Sequence, residues 1–257
     1  MSDLKKVMLT FDPMISSKKP NDVVGESSCP FCSYTDMENL IKEDGSRLWV
    51  NNKYPTIKEV NQTVIIESDA HDFRMYEAES CELNQLFKFI MSCWRQFDEW
   101  PSNLQTVFLK NQGIHSGSSL NHPHLQLLGF KEDVGSLYMP SDFEGIVVKE
   151  TDQLFITVST QPICGYIELN LRVHQDAAIN SWTNDLMGLV RFAVGYRDPS
   201  HPSYNIFGWK IDEYYQFKVV PRFVTSAYYI GFRLSQVFST DQLIQIAEDL
   251  KLNYLSS

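Results

Sequence analysis

The chain of 257 residues is long enough for one large domain or two of ordinary size. Its apolar share of 43% beside 21% charged residues is the balance of a globular protein. A net charge of −10 argues against a duplex nucleic-acid binder, which needs a basic face, but leaves room for one or two phosphates held locally.

The first thirty residues read as irregular, punctuated by Asp12-Pro13, Lys19-Pro20 and Cys29-Pro30. Their opening run, MSDLKKVMLTFDP, carries two lysines with no apolar stretch behind them, so no secretory signal is expected. No segment reaches the roughly 20 apolar residues that span a bilayer, and a cytoplasmic protein is expected. Five cysteines (Cys29, Cys32, Cys81, Cys93 and Cys164) are an odd set for disulfides in a reducing compartment. Only Cys29 and Cys32 stand at a spacing that needs an explanation.

Strands are predicted over 47–53 and 63–67. A helix follows over 83–97, where Leu83, Leu86, Phe87, Ile90, Trp94 and Phe97 make one apolar stripe. Strands over 106–110 and 124–130 are joined by a Gly/Ser-rich turn. After a polar stretch at 132–144 the order returns: strands at 154–159 and 165–173, a helix at 184–196, strands at 205–209 and 215–220. A last helix is predicted over 240–254, with Asp241 near its start to complement the dipole. Each half thus runs through strands, a histidine near a strand end (His71, His174), a helix and two strands. That reads as a degenerate duplication, although such runs also recur by chance in α+β proteins.

The segment from Asn111 to Gln126 carries the chemistry. Gly113 and Gly117 let the backbone approach a ligand, and successive N–H groups there can cup an anion. Ser116, Ser118 and Ser119 add hydroxyls. On the following strand His124 and Gln126 alternate, so both face one side, while Pro123 could twist His122 off that face. A neutral imidazole held by one nitrogen is a suitable nucleophile for phosphorus, and a glutamine amide can stabilise a phosphoryl oxygen. The plainer alternative is that these side chains cap a strand or bind a metal.

His122-Pro-His-Leu-Gln126, with Asn111-x-Gly and a Gly-Ser-Ser turn before it, resembles the galactose-1-phosphate uridylyltransferase-like branch of the histidine-triad (HIT-like) superfamily. In the hydrolase branch a third histidine stands where Gln126 is. Asn51-Asn-Lys-Tyr-Pro55, Gln62 to Asp72 and Cys29-Pro-Phe-Cys32 are similar to further family segments, and Pro221 to Phe232 resembles the C-terminal repeat more loosely. The resemblance implies an α+β fold of two fused HIT-like halves, each an antiparallel sheet with helices packed on it. Residues 1–135 would be the catalytic half and 136–257 the degenerate one.

It also implies a structural zinc on Cys29, Cys32, His71 and His122, although some relatives have lost this metal. A redox pair is the competing reading of Cys-x-x-Cys, but it wants a βαβ context that the irregular N-terminal segment does not offer. The implied reaction is transfer of a nucleoside monophosphate from a nucleoside diphosphate derivative, through a covalent nucleotidyl-His124, to a phosphorylated acceptor. Gln126 would meet a nonbridging oxygen; Asn52, Asn111, Gly117, Ser118 and Ser119 would hold the nucleotide and its phosphates. The partners implied are a nucleotide or nucleotide sugar and a phosphorylated acceptor, with no duplex nucleic acid and no membrane. A monomer or a homodimer is expected.

The departures are specific. Gln216 and Lys218 stand where the galactose enzymes place histidines for a second metal, and Lys218 is either a phosphate ligand or a solvated lysine. Ala227 and Arg233 replace the lysine and glutamate of the sugar-contacting stretch, around a retained Gly231, so galactose 1-phosphate is not the expected acceptor. Arg222 and Arg233 would suit a more anionic acceptor or serve as ion-pair partners. His115 and His174 are read as solvated or supporting residues, and the aromatics from Tyr196 to Tyr215 as core. Two rival functions stay open: a phosphorylase or hydrolase of nucleotide sugars or dinucleoside polyphosphates, and a nucleotide-binding module without turnover.

Overall fold

A computed structural model of the chain describes residues 9–21, 23, 29–32, 34–132, 140–162, 167–225 and 238–255. By internal contacts the chain forms two compact units: Met1–Phe73 with Lys88–Leu109 and Ser119–Tyr138, and Arg74–Phe87 with Lys110–Ser118 and Met139–Ser257. The Gly/Ser turn as far as Ser118 therefore belongs to the second unit, although its sequence position lies in the first half.

The N-terminal half opens with one helical turn, α1 (Pro13–Ser16), capped by the Asp12 carboxylate. Strands β1 (Leu40–Asp44), β2 (Arg47–Asn51) and β3 (Val60–Ile66) form an antiparallel meander. Helix α2 (Ser80–Asp98) leads to β4 (Gln105–Gln112) and β5 (His124–Phe130), and β5 returns to pair with β3, giving the order β1-β2-β3-β5-β4. The predicted stripe is the buried face of α2: Leu83, Leu86, Phe87, Ile90, Trp94 and Phe97 are each at most 1% exposed. Buried indoles need partners for their N–H groups, and threonines on neighbouring strands supply them. Trp94 donates to Thr106 and Trp49 to Thr63, both at 2.9 Å.

The C-terminal half repeats the plan. A meander of β6 (Gly145–Glu150), β7 (Leu154–Ser159) and β8 (Leu169–His174) is followed by α3 (Thr183–Gly195). The hairpin β9 (Tyr204–Ile211) and β10 (Tyr214–Pro221) then returns β10 to β8, so the order is β6-β7-β8-β10-β9. Helix α4 (Thr240–Asn253) closes the half behind a capping box, in which Ser239 and Gln242 satisfy each other's backbone N–H groups. Of the aromatics read as core, Tyr204, Trp209 and Tyr215 are buried, whereas Tyr196, Phe207 and Tyr214 are half-buried; Trp182 stacks on Phe217. The same strand order in both halves gives the α+β, two-half HIT-like fold.

Two strands escaped the sequence reading. β1 and β6 lie at the outer end of each meander and are mostly half-exposed or exposed, so they lack the apolar alternation that marks a strand. β3 begins three residues early because Gln62, polar but buried, has its amide taken up by Thr56 N–H and the Ile57 carbonyl. Gly165, Ala227, Gly231 and Arg233 lie outside the described residues. Among the described residues no helix is long and apolar enough to cross a membrane.

Lys218 is placed differently from either sequence reading. On β10 it is 1% exposed, with its ammonium 2.7 Å from the Glu168 carboxylate, 2.8 Å from Asn170 Oδ1 and 2.6 Å from the Asp142 carbonyl. It is an internal cation of the C-terminal half. Substituting Lys218→Met takes the ammonium away from the buried Glu168 carboxylate, and thermal unfolding should show a loss of about 3 kcal/mol or more.

Candidate active site

The first link is the register of β5. Ile66 of β3 faces His124, and Val64 faces Gln126. Leu125 and Leu127 point into the core at 1% and 0% exposure, so alternation puts His124 and Gln126 together on the opposite, half-buried side. His122 precedes the strand and is fully buried.

The two histidines are held as opposite tautomers. A carbonyl can only accept, so His122 carries its proton on Nε2, donated to the Ser68 carbonyl at 2.7 Å. Its Nδ1 lone pair faces Cys32 Sγ at 3.6 Å. His124 instead donates from Nδ1 to the His122 carbonyl at 2.7 Å, which puts its lone pair on Nε2. One residue thus turns a lone pair toward Cys32 through Nδ1, and its neighbour two along carries its lone pair on Nε2. Phe31 from the Cys-Pro-Phe-Cys turn sets its ring edge-on to both, at 5.8 Å from His122 and 5.4 Å from His124.

Cys29, Cys32, His71 and His122 converge, each offering one ligand atom with all four within 4.8 Å of one another. Cys32 Sγ lies 3.3 Å from His71 Nδ1. Tetrahedral zinc bonds imply sulfur–nitrogen separations of ~3.6 Å, so the donor set fits this ion. Burial pushes the Cys29 thiol up to about 11, against the backbone N–H groups of Phe31 and Cys32 that pull it down. A cation in the group would favour the thiolate that burial alone disfavours.

The Gly/Ser turn is braced from within its own unit. Gly113 has φ +88°, and a Cβ there would run into the Pro202 carbonyl and Ser203 Oγ. Ser116 is buried and structural: its hydroxyl donates to the Gly113 carbonyl at 2.7 Å and accepts from Ser118 N–H at 3.2 Å. Asn205 donates to Asn111 Oδ1 at 2.6 Å and to the Ser116 carbonyl at 3.0 Å. Arg222 donates to the His115 carbonyl at 3.3 Å, so it is a brace of the turn. Gly117, exposed at φ +82°, and half-buried Ser118 and Ser119 complete the segment. Gly113→Ala should lower stability by roughly 1–3 kcal/mol in denaturant unfolding, since strain and collision act together.

Asn52 accepts from Tyr54 N–H at 2.8 Å through its side-chain oxygen, which shapes the Asn51–Pro55 corner. Asn205 and Ser203 were missed by the sequence reading. The signal for Asn205 was a polar residue among the apolar ones that open its strand, where it is buried.

The sequence model of the DUF4931 N-terminal domain, a domain of unknown function, matches residues 11–133, and that of the C-terminal domain matches 137–255. A solved DUF4931 family protein from Bacillus cereus ATCC 10987 is 29% identical, with a TM-score of 0.72 over 82% of this chain and 97% of that one. An ADP-glucose phosphorylase from Arabidopsis thaliana with bound ADP-glucose is 16% identical, with a TM-score of 0.63 over 96% and 99%. A uridylyltransferase is 14% identical, with a TM-score of 0.64 over 88% and 92%. No curated protein matches the chain. The chain shares its fold with this uridylyltransferase and this ADP-glucose phosphorylase, in keeping with the two-half fold that the resemblance at His122–Gln126 implied.

Proposed function

The chain belongs to the DUF4931 family, and we propose that it is a nucleotidyltransferase working through a covalent nucleotidyl-His124. The observation that carries this reading is the Nδ1–H bond from His124 to the His122 carbonyl, which puts the lone pair on Nε2, the nitrogen that would attack. In the first step Nε2 attacks the α-phosphorus of a nucleoside diphosphate derivative of nucleotide-sugar type. A P–N bond forms, and the bond to the bridging oxygen breaks with its electron pair leaving on the phosphorylated group. In the second step an oxygen of a phosphorylated acceptor, other than galactose 1-phosphate, attacks the same phosphorus and displaces Nε2.

Gln126 lies on the face of His124 and would donate its amide N–H to a nonbridging oxygen. Gly117, Ser118 and Ser119 would offer N–H and hydroxyl groups to phosphates, with Asn111 ordering the turn and Asn52 meeting the nucleotide through its amide nitrogen. Lys218 has no substrate role in this reading. Cys29, Cys32, His71 and His122 would hold a zinc whose contribution is structural: it fixes the residue whose carbonyl orients His124. Residues 1–135 form the catalytic half and 136–257 the degenerate one. The likeness to an ADP-glucose phosphorylase over nearly its whole length supports a second reading, in which inorganic phosphate discharges the same intermediate.

Intact-protein mass spectrometry under alkaline conditions, with uridine, adenosine and guanosine diphosphate sugars and dinucleoside polyphosphates, tests the proposal. A nucleoside-monophosphate adduct names the base, and the acceptor that removes it separates transfer from phosphorolysis. Binding without an adduct would turn the reading toward a nucleotide-binding module. Gln126→Ala should slow formation of the adduct by roughly 100-fold, with metal content unchanged.

A further inference from the structure

The Gly/Ser turn brings a second set of ligand-type side chains together, and the transfer proposed above uses none of them. His115 leaves the turn toward the loop between α3 and β9, where Asp198 and His201 meet it. His201 Nδ1 lies 3.1 Å and His115 Nε2 3.7 Å from the same carboxylate oxygen, Asp198 Oδ2. The three ligand atoms all lie within 4.8 Å of one another. The two imidazole rings stand 5.8 Å apart at 71°.

We infer that His115, Asp198 and His201 form a second metal site, of nitrogen–oxygen type, for zinc or a neighbouring first-row divalent ion. Two imidazoles with one carboxylate suit zinc, copper, iron or nickel and carry no thiolate, so this site differs in kind from the Cys29 group. Tetrahedral zinc places such ligands ~3.4 Å apart, and the two separations around Asp198 straddle that value. The site rests on His115 and the 198–201 loop, and uses neither Gln216 nor Lys218.

The surrounding structure holds the group in this arrangement. Ser203 accepts from His115 N–H at 3.3 Å and donates to the His201 carbonyl at 3.0 Å, so one hydroxyl fixes the backbone of both histidines. Arg222 holds the His115 carbonyl from the other side. Arg197, immediately before the carboxylate ligand, is a non-glycine residue at φ +69°. Such strain persists where the surroundings over-determine it. Its guanidinium lies 5.7 Å from the Tyr196 ring and 5.9 Å from the Phe223 ring, which anchors the turn. The side chains are 19%, 31% and 55% exposed for His115, Asp198 and His201. Three protein ligands at a half-open surface leave a coordination position for water or an anionic oxygen. Occupancy would tie the 198–201 loop to the turn that carries Gly113 and Gly117.

Titrating the metal-free full-length chain with cobalt(II) tests this, because thiolate ligands give intense sulfur-to-cobalt charge-transfer absorption and nitrogen–oxygen ligands do not. The expected result is one equivalent without charge transfer, beside any equivalent that shows it. His201→Ala, at an exposed position, should lose the former and leave the charge-transfer band unchanged. Cys29→Ser combined with Cys32→Ser, which leaves no thiolate in that group, should remove the band and keep the other equivalent. The inference is overturned if every bound equivalent carries charge transfer, or if His201→Ala binds as much cobalt as the parent with the same spectrum. Neither result depends on nucleotidyl transfer, so failure here leaves that reading standing.

Discussion

Replacing His124 by alanine is expected to abolish the nucleotide adduct and to lower turnover by about 1,000-fold or more, with the fold and metal content intact. The fold should survive because His124 is half-buried on the open side of β5, while Leu125 and Leu127 on the other side keep the strand in the core. The chemical loss is large because the neighbouring imidazole, on His122, is held in another orientation and does not replace the Nε2 lone pair. His122, two residues away, points its own lone pair at Cys32 and donates its other nitrogen to Ser68. The measurement is adduct yield by intact mass beside single-turnover kinetics for parent and variant. An adduct that persists at full yield in His124→Ala would move the nucleophile to another residue and end the proposed mechanism. An adduct that vanishes while nucleotide affinity holds would separate chemistry from binding, since removing a group used only in the transition state spares ground-state affinity.

The sequence displayed this part of the site because its logic is local. The alternation His124, Leu125, Gln126, Leu127 is the strand period itself, and β5 spans the predicted residues 124–130. The α2 stripe was legible for the same reason, with one apolar face at helical spacing. Contacts across long separations were not. Asn205 braces Ser116 from 89 positions away, and Lys218 reaches Asp142 across 76. A lysine in a strand looks solvated until Glu168 and Asn170 are seen beside it. His115 looked like a solvated turn residue for the same reason: its neighbours Asp198 and His201 are distant in the chain. Cys29 and Cys32 were legible as a pair, whereas their meeting with His71 and His122 was reached through resemblance and not through spacing.

Removal of the zinc proposed for the Cys29, Cys32, His71 and His122 group should be the largest structural perturbation. A ligand present at a thousand times its dissociation constant stabilises the folded state by about 4 kcal/mol, and structural zinc commonly exceeds that. Cys29→Ser, or chelation of the parent, should therefore lower the thermal midpoint substantially, and calorimetry with matched zinc analysis measures it. Activity should fall with occupancy. A bound ion would anchor His122, and the His122 carbonyl aligns His124 at 2.7 Å, so loosening the first loosens the second. The pH dependence follows from the thiol. Burial holds the Cys29 thiol up at about 11, so near neutral pH it is protonated and the metal must displace that proton. Affinity through this group should weaken ~tenfold for each unit of falling pH below that value. Chelators should strip the protein more readily at pH 6 than at pH 8. A thermal midpoint indifferent to chelator at both values would mean that the four side chains hold the N-terminal half without an ion, and that His124 is oriented by the protein alone.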